Sequence, residues 1–73
     1  MNIYGYSMNE DDIRYLSEVT LHVTEKEIND VILFLNYAAK LMAKHGDQFG
    51  HEHFSDFNKK YKLGNCEIVI SKA

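Results

Sequence analysis

The residues best suited to chemistry lie in one short segment, FGHEHFSDF, at positions 49–57. His51 and His53 are two residues apart, so in a strand both imidazoles point to the same side and could reach one cation. Two ligands are too few for a stable site. The candidates for a third ligand are His22, His45, Cys66 and the carboxylates. We expect the two histidines to make hydrogen bonds at a surface, with a metal held by His51 and His53 as the alternative.

Catalytic motifs are absent from the sequence. The serines lack a G-x-S-x-G context, and there is no glycine-rich phosphate loop. Cys66 comes just before a β-branched run, where a small buried side chain is the usual role of a lone cysteine. We therefore predict that the protein is not an enzyme and needs no cofactor.

Length and composition predict one domain over residues 1–73, near the lower limit for a self-sufficient core. The chain is 45% hydrophobic and 26% charged, as in ordinary globular proteins. One cysteine excludes an internal disulfide and fits a reducing compartment. The start of the chain lacks a signal-peptide pattern, and no apolar run approaches the ~20 residues of a membrane span. We therefore expect a cytoplasmic protein without membrane contact.

Charge is distributed unevenly along the chain. Residues 1–30 contain seven acidic and two basic residues, whereas residues 31–73 contain four acidic and six basic ones. The net charge of −3 argues against a nucleic-acid binder, which needs clustered lysine and arginine for phosphates. An acidic first half could steer a basic protein partner instead.

One long helix is indicated by local signals. Thr24 and Glu27 form a T-x-x-E capping box, and apolar residues then recur at three- and four-residue steps as far as Met42. Gly46 is a typical residue just after a helix end. The pattern predicts a helix from about Glu25 to Lys44.

Strands are predicted on both sides of this helix, over residues 2–6, 17–23, part of 50–57 and 66–70. Gly5 within the first strand indicates a bulge or a close backbone approach. The predicted fold is α+β in the order β-β-α-β-β, a small, mostly antiparallel sheet with one long helix packed on one face. The helix should pack on the sheet through these apolar residues: Val19, Leu21, Val23, Ile68 and Ile70. Leu35 is predicted to lie in that core.

The second face of such a sheet would be uncovered. Alternation places Glu18 and His22 on it, together with the aromatic residues Tyr4 and Tyr6. Exposed tyrosines are frequent anchors of protein interfaces. We therefore expect a weak homodimer.

Four segments resemble a known family when taken in order: IYGYS at the start, LSEVTLHV before the helix, FGHEHFSDF after it and EIVIS at the end. Together they are similar to the small bacterial immunity proteins of polymorphic toxin systems, in the family numbered thirty-two. The resemblance covers nearly the whole chain. Phe57 stands where the family commonly has a tryptophan, so the role of that aromatic is not carried over.

The resemblance implies a protein that binds and neutralises a cognate toxin by direct contact. The candidate contact residues are Tyr4, Tyr6, Glu18, His22, Glu52 and His53. A small homodimeric metal- or ligand-binding domain centred on His51 and His53 is the competing hypothesis. A regulatory binding module for some other protein is a third, and the sequence does not separate it from an immunity protein.

Overall fold

The computed structural model describes residues 1–7, 15–61 and 67–73, without the side chains of Tyr6 and Ser7. Four strands and two helices follow one another along the chain: β1 (Asn2–Ser7), β2 (Leu16–His22), α1 (Glu25–His45), β3 (His51–His53), α2 (Phe54–Phe57) and β4 (Val69–Ser71). A 3-10 turn over Gly46–Gln48 follows α1. The α+β class and the β-β-α-β-β order of the main elements are thus confirmed.

Helix α1 begins and ends where the local signals place it. The Thr24 hydroxyl accepts a hydrogen bond from the Glu27 backbone N–H at 3.2 Å, and the Glu27 carboxylate accepts one from the Thr24 N–H at 2.9 Å. This capping box satisfies two of the donors that a helix start leaves without partners. At the other end Gly46 has a φ of 53°, which glycine adopts readily, and the helix stops there.

The strands β1 and β2 form an antiparallel hairpin. Ile3 pairs with Leu21, and Gly5 pairs with Val19; the register shifts between Tyr6 and Ser7. A Cβ atom on Gly5 would lie 2.1 Å from the Glu18 carbonyl oxygen, so only glycine fits there. Of the two alternatives predicted at Gly5, the close backbone approach is confirmed, whereas the register shift lies between Tyr6 and Ser7.

The core lies between α1 and the segment that follows it. Val31, Phe34 and Phe54 are its buried centre, and Ile68 and Ile70 pack against them. Phe34 is in tilted contact with Phe54, at a ring-centroid distance of 5.3 Å. Strand β3 pairs with β4, and the Phe54 N–H donates to the Ile68 carbonyl at 2.9 Å. Phe54, directly after the two histidines, therefore points into the core.

The predicted single sheet is wrong, because the four strands form two separate two-stranded sheets, β1–β2 and β3–β4. The helix packs on the second sheet and on α2, and the hairpin does not cover it. Val19 is 57% exposed, Leu21 36% and Leu35 44%, so their predicted core positions are wrong as well. The physical reason is that aromatic residues after α1 already occupy its core side: Phe54 and Phe57 pack against Phe34, and Tyr61 packs against Phe54.

The predicted burial of Cys66 and the start of the strand predicted over residues 66–70 lie outside the described residues. Within the described parts of the chain, no helix has the length and apolar character needed to cross a bilayer.

Candidate partner-binding surface

The hairpin contains four of the six predicted contact residues: Tyr4, Tyr6, Glu18 and His22. Tyr4 pairs directly with Thr20, and Glu18 and His22 lie two residues to either side of Thr20 on β2. Directly paired residues and those two apart share a face of a sheet, so Tyr4, Glu18, Thr20 and His22 form one surface, called here the tyrosine face. Tyr4 is 53% exposed, and Glu18 and His22 are exposed too. Tyr6 pairs with Glu18 in the backbone register.

The tyrosine face combines the properties of an interface anchor. A tyrosine ring offers a large, rigid contact area with a polar tip, and it loses little conformational entropy on binding. The Glu18 carboxylate beside it adds a negative charge in water, where it can steer a basic partner. The face can therefore bind a protein surface without any chemical step.

The other two candidate contacts, Glu52 and His53, lie in the second sheet on β3. Both are half-buried, and Glu52 pairs with Ile70 in the register. The six predicted contact residues therefore divide between two sheets, and the sequence-based cluster does not form one surface.

His51 and His53 do come close to one another. Their rings meet edge to face, with centroids 5.0 Å apart, and His51 is exposed. No group of three or more His, Cys, Asp or Glu side chains able to hold a metal ion occurs among the residues that the structure describes. The described part of the chain thus offers no third ligand for a metal held by these two histidines.

A cluster of hydrogen bonds around Glu67 was not predicted from the sequence. The Ser55 hydroxyl donates to its Oε2, and the backbone N–H groups of Ser55 and Ile68 donate to its Oε1 at 3.2 and 3.0 Å. His53 Nδ1 lies 3.6 Å from Oε2. The donors and the acceptor are up to 14 residues apart in sequence, so no local pattern indicates this contact.

These groups resemble a catalytic triad in composition but differ from one in order. In a Ser-His-acid triad, the histidine lies between the two others and accepts the serine proton. Here the Ser55 hydroxyl donates to the carboxylate itself, and His53 reaches the same oxygen from another side. The arrangement therefore fastens the start of α2 to the segment leading into β4.

The charge of Glu67 is stabilised by its donors. Partial burial acts to raise its pKa, but the hydrogen bonds from the Ser55 hydroxyl and the two backbone N–H groups, together with His53, outweigh burial. The pKa of Glu67 is therefore lowered from its ordinary value of 4.5. The carboxylate stays ionised at neutral pH and keeps all of its acceptor capacity.

A cleft of about 430 Å³ lies beside the start of α1, between Met1, Glu27 and Tyr61. The amino group of Met1 is 2.5 Å from Glu27 Oε2. The hydrogen bond from this amino group, followed by that from the Thr24 N–H, lowers the pKa of Glu27 to about 2. Asp30, the second acidic residue of the cleft, pairs with Lys26, so both acidic groups are already used within the chain.

Comparison with known proteins gives no relative. No family model matches the chain, and no curated protein or solved structure matches it. The resemblance to immunity proteins therefore stays a prediction.

Proposed function

We propose that this chain is an immunity-type binding protein, which neutralises a cognate bacterial toxin by direct contact in the cytoplasm. The observation that carries the proposal is the tyrosine face, where Tyr4, Glu18 and His22 are exposed together on a two-stranded hairpin. Inhibition of this kind needs a rigid scaffold and a complementary surface, and both can be supplied without catalysis.

Charge supports a basic toxin as the partner. The first 30 residues contain seven of the eleven acidic residues of the chain, and the hairpin lies within them. Complementary charge raises the rate of encounter more than the final affinity. In this account Tyr4 supplies contact area at the centre of the interface and Glu18 supplies steering at its rim.

The proposal is tested by the kinetics of binding to the toxin-like product of the gene adjacent to that of this chain. Glu18→Lys should slow association more than it speeds dissociation, and the wild-type association rate should fall as salt rises, because exposed charges are screened beyond ~8–10 Å at 0.1–0.15 M. Asp56→Lys makes the same change of charge at an exposed position on α2, away from the hairpin, and should leave binding almost unchanged. Equal effects of the two variants, or the absence of binding, would contradict the proposal.

A further inference from the structure

Two apolar surfaces of this chain are exposed to solvent. The first lies on the hairpin side opposite the tyrosine face, and we call it the apolar hairpin face: Leu16, Val19 and Leu21. The second lies along α1, and we call it the side stripe: Ile32, Leu35 and Ala39. All six residues are exposed, with Val19 at 57% and Ile32 at 48%.

The pairing of β1 with β2 places the residues of the apolar hairpin face on one side of the hairpin. Val19 and Leu21 are two apart on β2, so they share a face with their partners Gly5 and Ile3. The Leu16 side chain lies over Gly5, because its Cδ1 atom is 3.2 Å from where a Cβ on Gly5 would be. Since Gly5 has no side chain, the surface of this face consists mainly of the β2 residues.

The side stripe follows from the helical period. Ile32, Leu35 and Ala39 are spaced by three and four residues, so they lie in one row along α1. They are rotated by about 100° from the row of Val31, Phe34 and Ala38, which is buried in the core. The helix therefore has a second apolar side, adjacent to the first and uncovered in the monomer.

We propose that the chain forms a two-fold symmetric homodimer, in which the apolar hairpin face of each copy covers the side stripe of the other. The hairpin face spans about 17 Å at ~3.4 Å per strand residue. The side stripe spans about 10 Å at ~1.5 Å per helix residue, so it fits within the length of the hairpin face. A reciprocal contact covers both surfaces with one kind of partner, as two-fold symmetry requires.

The surface area of the chain favours a second copy as that partner. Its accessible surface is 5903 Å², whereas a compact monomer of 8.5 kDa exposes about 4,650 Å². The difference of about 1,250 Å² belongs to the chain as a whole, and it is comparable with the roughly 1,000–2,500 Å² that each subunit of an obligate homodimer buries. The radius of gyration, 13.5 Å, likewise exceeds the ~11 Å expected for a compact chain of this length.

The dimer is compatible with the proposed function and does not depend on it. It covers one side of each hairpin and leaves the tyrosine face, on the opposite side, open to a toxin. Only Val23 and Thr24 separate β2 from α1, so the hairpin is held beside the start of its own helix while its apolar face is directed outward.

The mass of the purified wild-type chain in solution, without any toxin, tests this inference first. Light scattering at high micromolar concentration should give twice the 8.5 kDa of one chain. A single-chain mass would overturn the proposal. Because no toxin is present, that result would leave the proposed immunity function to be judged by its own experiment.

Single substitutions locate the interface. Val19→Glu in the hairpin face and Ile32→Lys in the side stripe should each give the mass of one chain, with the helical circular dichroism retained. Leu33→Lys is the matched control, because Leu33 is 58% exposed on a different side of α1, and this variant should stay dimeric. A dimeric Val19→Glu or Ile32→Lys variant, or a monomeric Leu33→Lys variant, would place the interface elsewhere.

Mixing the two disruptive variants tests the reciprocal arrangement. In a dimer of Val19→Glu with Ile32→Lys, one contact is wild type and the other joins the new glutamate surface to the new lysine surface. The equimolar mixture should therefore recover the mass of two chains, although each variant alone does not. A mixture that stays monomeric would contradict the reciprocal contact of hairpin face and side stripe. A dimer in which the two helices pack on each other would not recover its mass on mixing.

Discussion

Among single residues, Gly5 has the clearest structural constraint. Its missing side chain lets β1 approach the Glu18 carbonyl, and any Cβ would lie 2.1 Å from that oxygen. The neighbouring atom belongs to the backbone, so the strand itself must move to accommodate a larger residue. Both binding faces of the hairpin depend on this approach.

Gly5→Ala should therefore loosen the hairpin, by about 1–3 kcal/mol, as forced overpacking usually costs. Amide hydrogen exchange in β1 and β2 measures this, because it reports local opening. Gly50→Ala is the control, since a Cβ there meets nothing within 4 Å and the φ of Gly50 is not positive. Unchanged protection of the hairpin in Gly5→Ala would show that the close approach is not needed.

Glu67 is the second residue whose role can be tested directly. Glu67→Ala removes the acceptor of the three hydrogen bonds described above and should lower the free energy of unfolding by about 1–3 kcal/mol. Urea denaturation measures the change. Glu52→Ala removes the same charge from the neighbouring strand β3 and should cost less. An equal loss of stability in both variants would mean that the negative charge stabilises the fold and that the hydrogen bonds of Glu67 do not.

The lowered pKa of Glu67 also predicts how this contribution varies with pH. Because the folded state holds the carboxylate below its ordinary pKa of 4.5, its contribution is fully present above that pH. It is lost as the pH falls through the lowered value. The stability difference between the wild type and Glu67→Ala should therefore shrink in acid. A stability difference that grows below pH 4.5 would contradict the lowered pKa of Glu67.

Helix α1 shows which parts of an element the sequence determines. The capping box, the apolar period and Gly46 are local, so the helix bounds were predictable to within one residue. The period marks a broad apolar arc but does not say which part of it faces the core. Phe34 is fully buried, whereas its neighbour Leu35 is 44% exposed, because Phe54 and Phe57 pack against Phe34.

Substitutions on the buried side and on the exposed side of α1 should change the free energy of unfolding by very different amounts. Phe34→Ala should cost about 3–5 kcal/mol, since it leaves a cavity in the aromatic core. Leu33→Ala, on the exposed side, should change stability by about 0.5 kcal/mol or less. Thermal or urea unfolding of both variants checks the assignment. Similar losses would mean that α1 is turned differently about its axis.

The part of the candidate site that lies on the β1–β2 hairpin was predictable from the sequence. Strand alternation places Glu18 and His22 on one face, and the register then adds Tyr4. Glu52 and His53 would lie beside them only in a single sheet, and the described strands form two. Which strands pair is decided by contacts distant in sequence, and the sequence period carries no information about them.

The whole molecule is extended for its size, at 35 × 30 × 17 Å. Its core is small and aromatic, while the hairpin adds surface without adding to that core. A chain with this distribution is suited to contact with other proteins. We propose a second copy as the partner of the apolar hairpin face and the side stripe, and a toxin as the partner of the tyrosine face.

Growth of a sensitive strain measures the proposed function most directly. The strain would express the product of the gene adjacent to that of this chain, with and without the chain itself. The account predicts that this product alone arrests growth, that the wild-type chain restores it, and that a Tyr4→Ala, Glu18→Lys double variant restores it poorly. Persistent arrest with both proteins soluble and folded, or a neighbouring product that is not toxic, would contradict the immunity function.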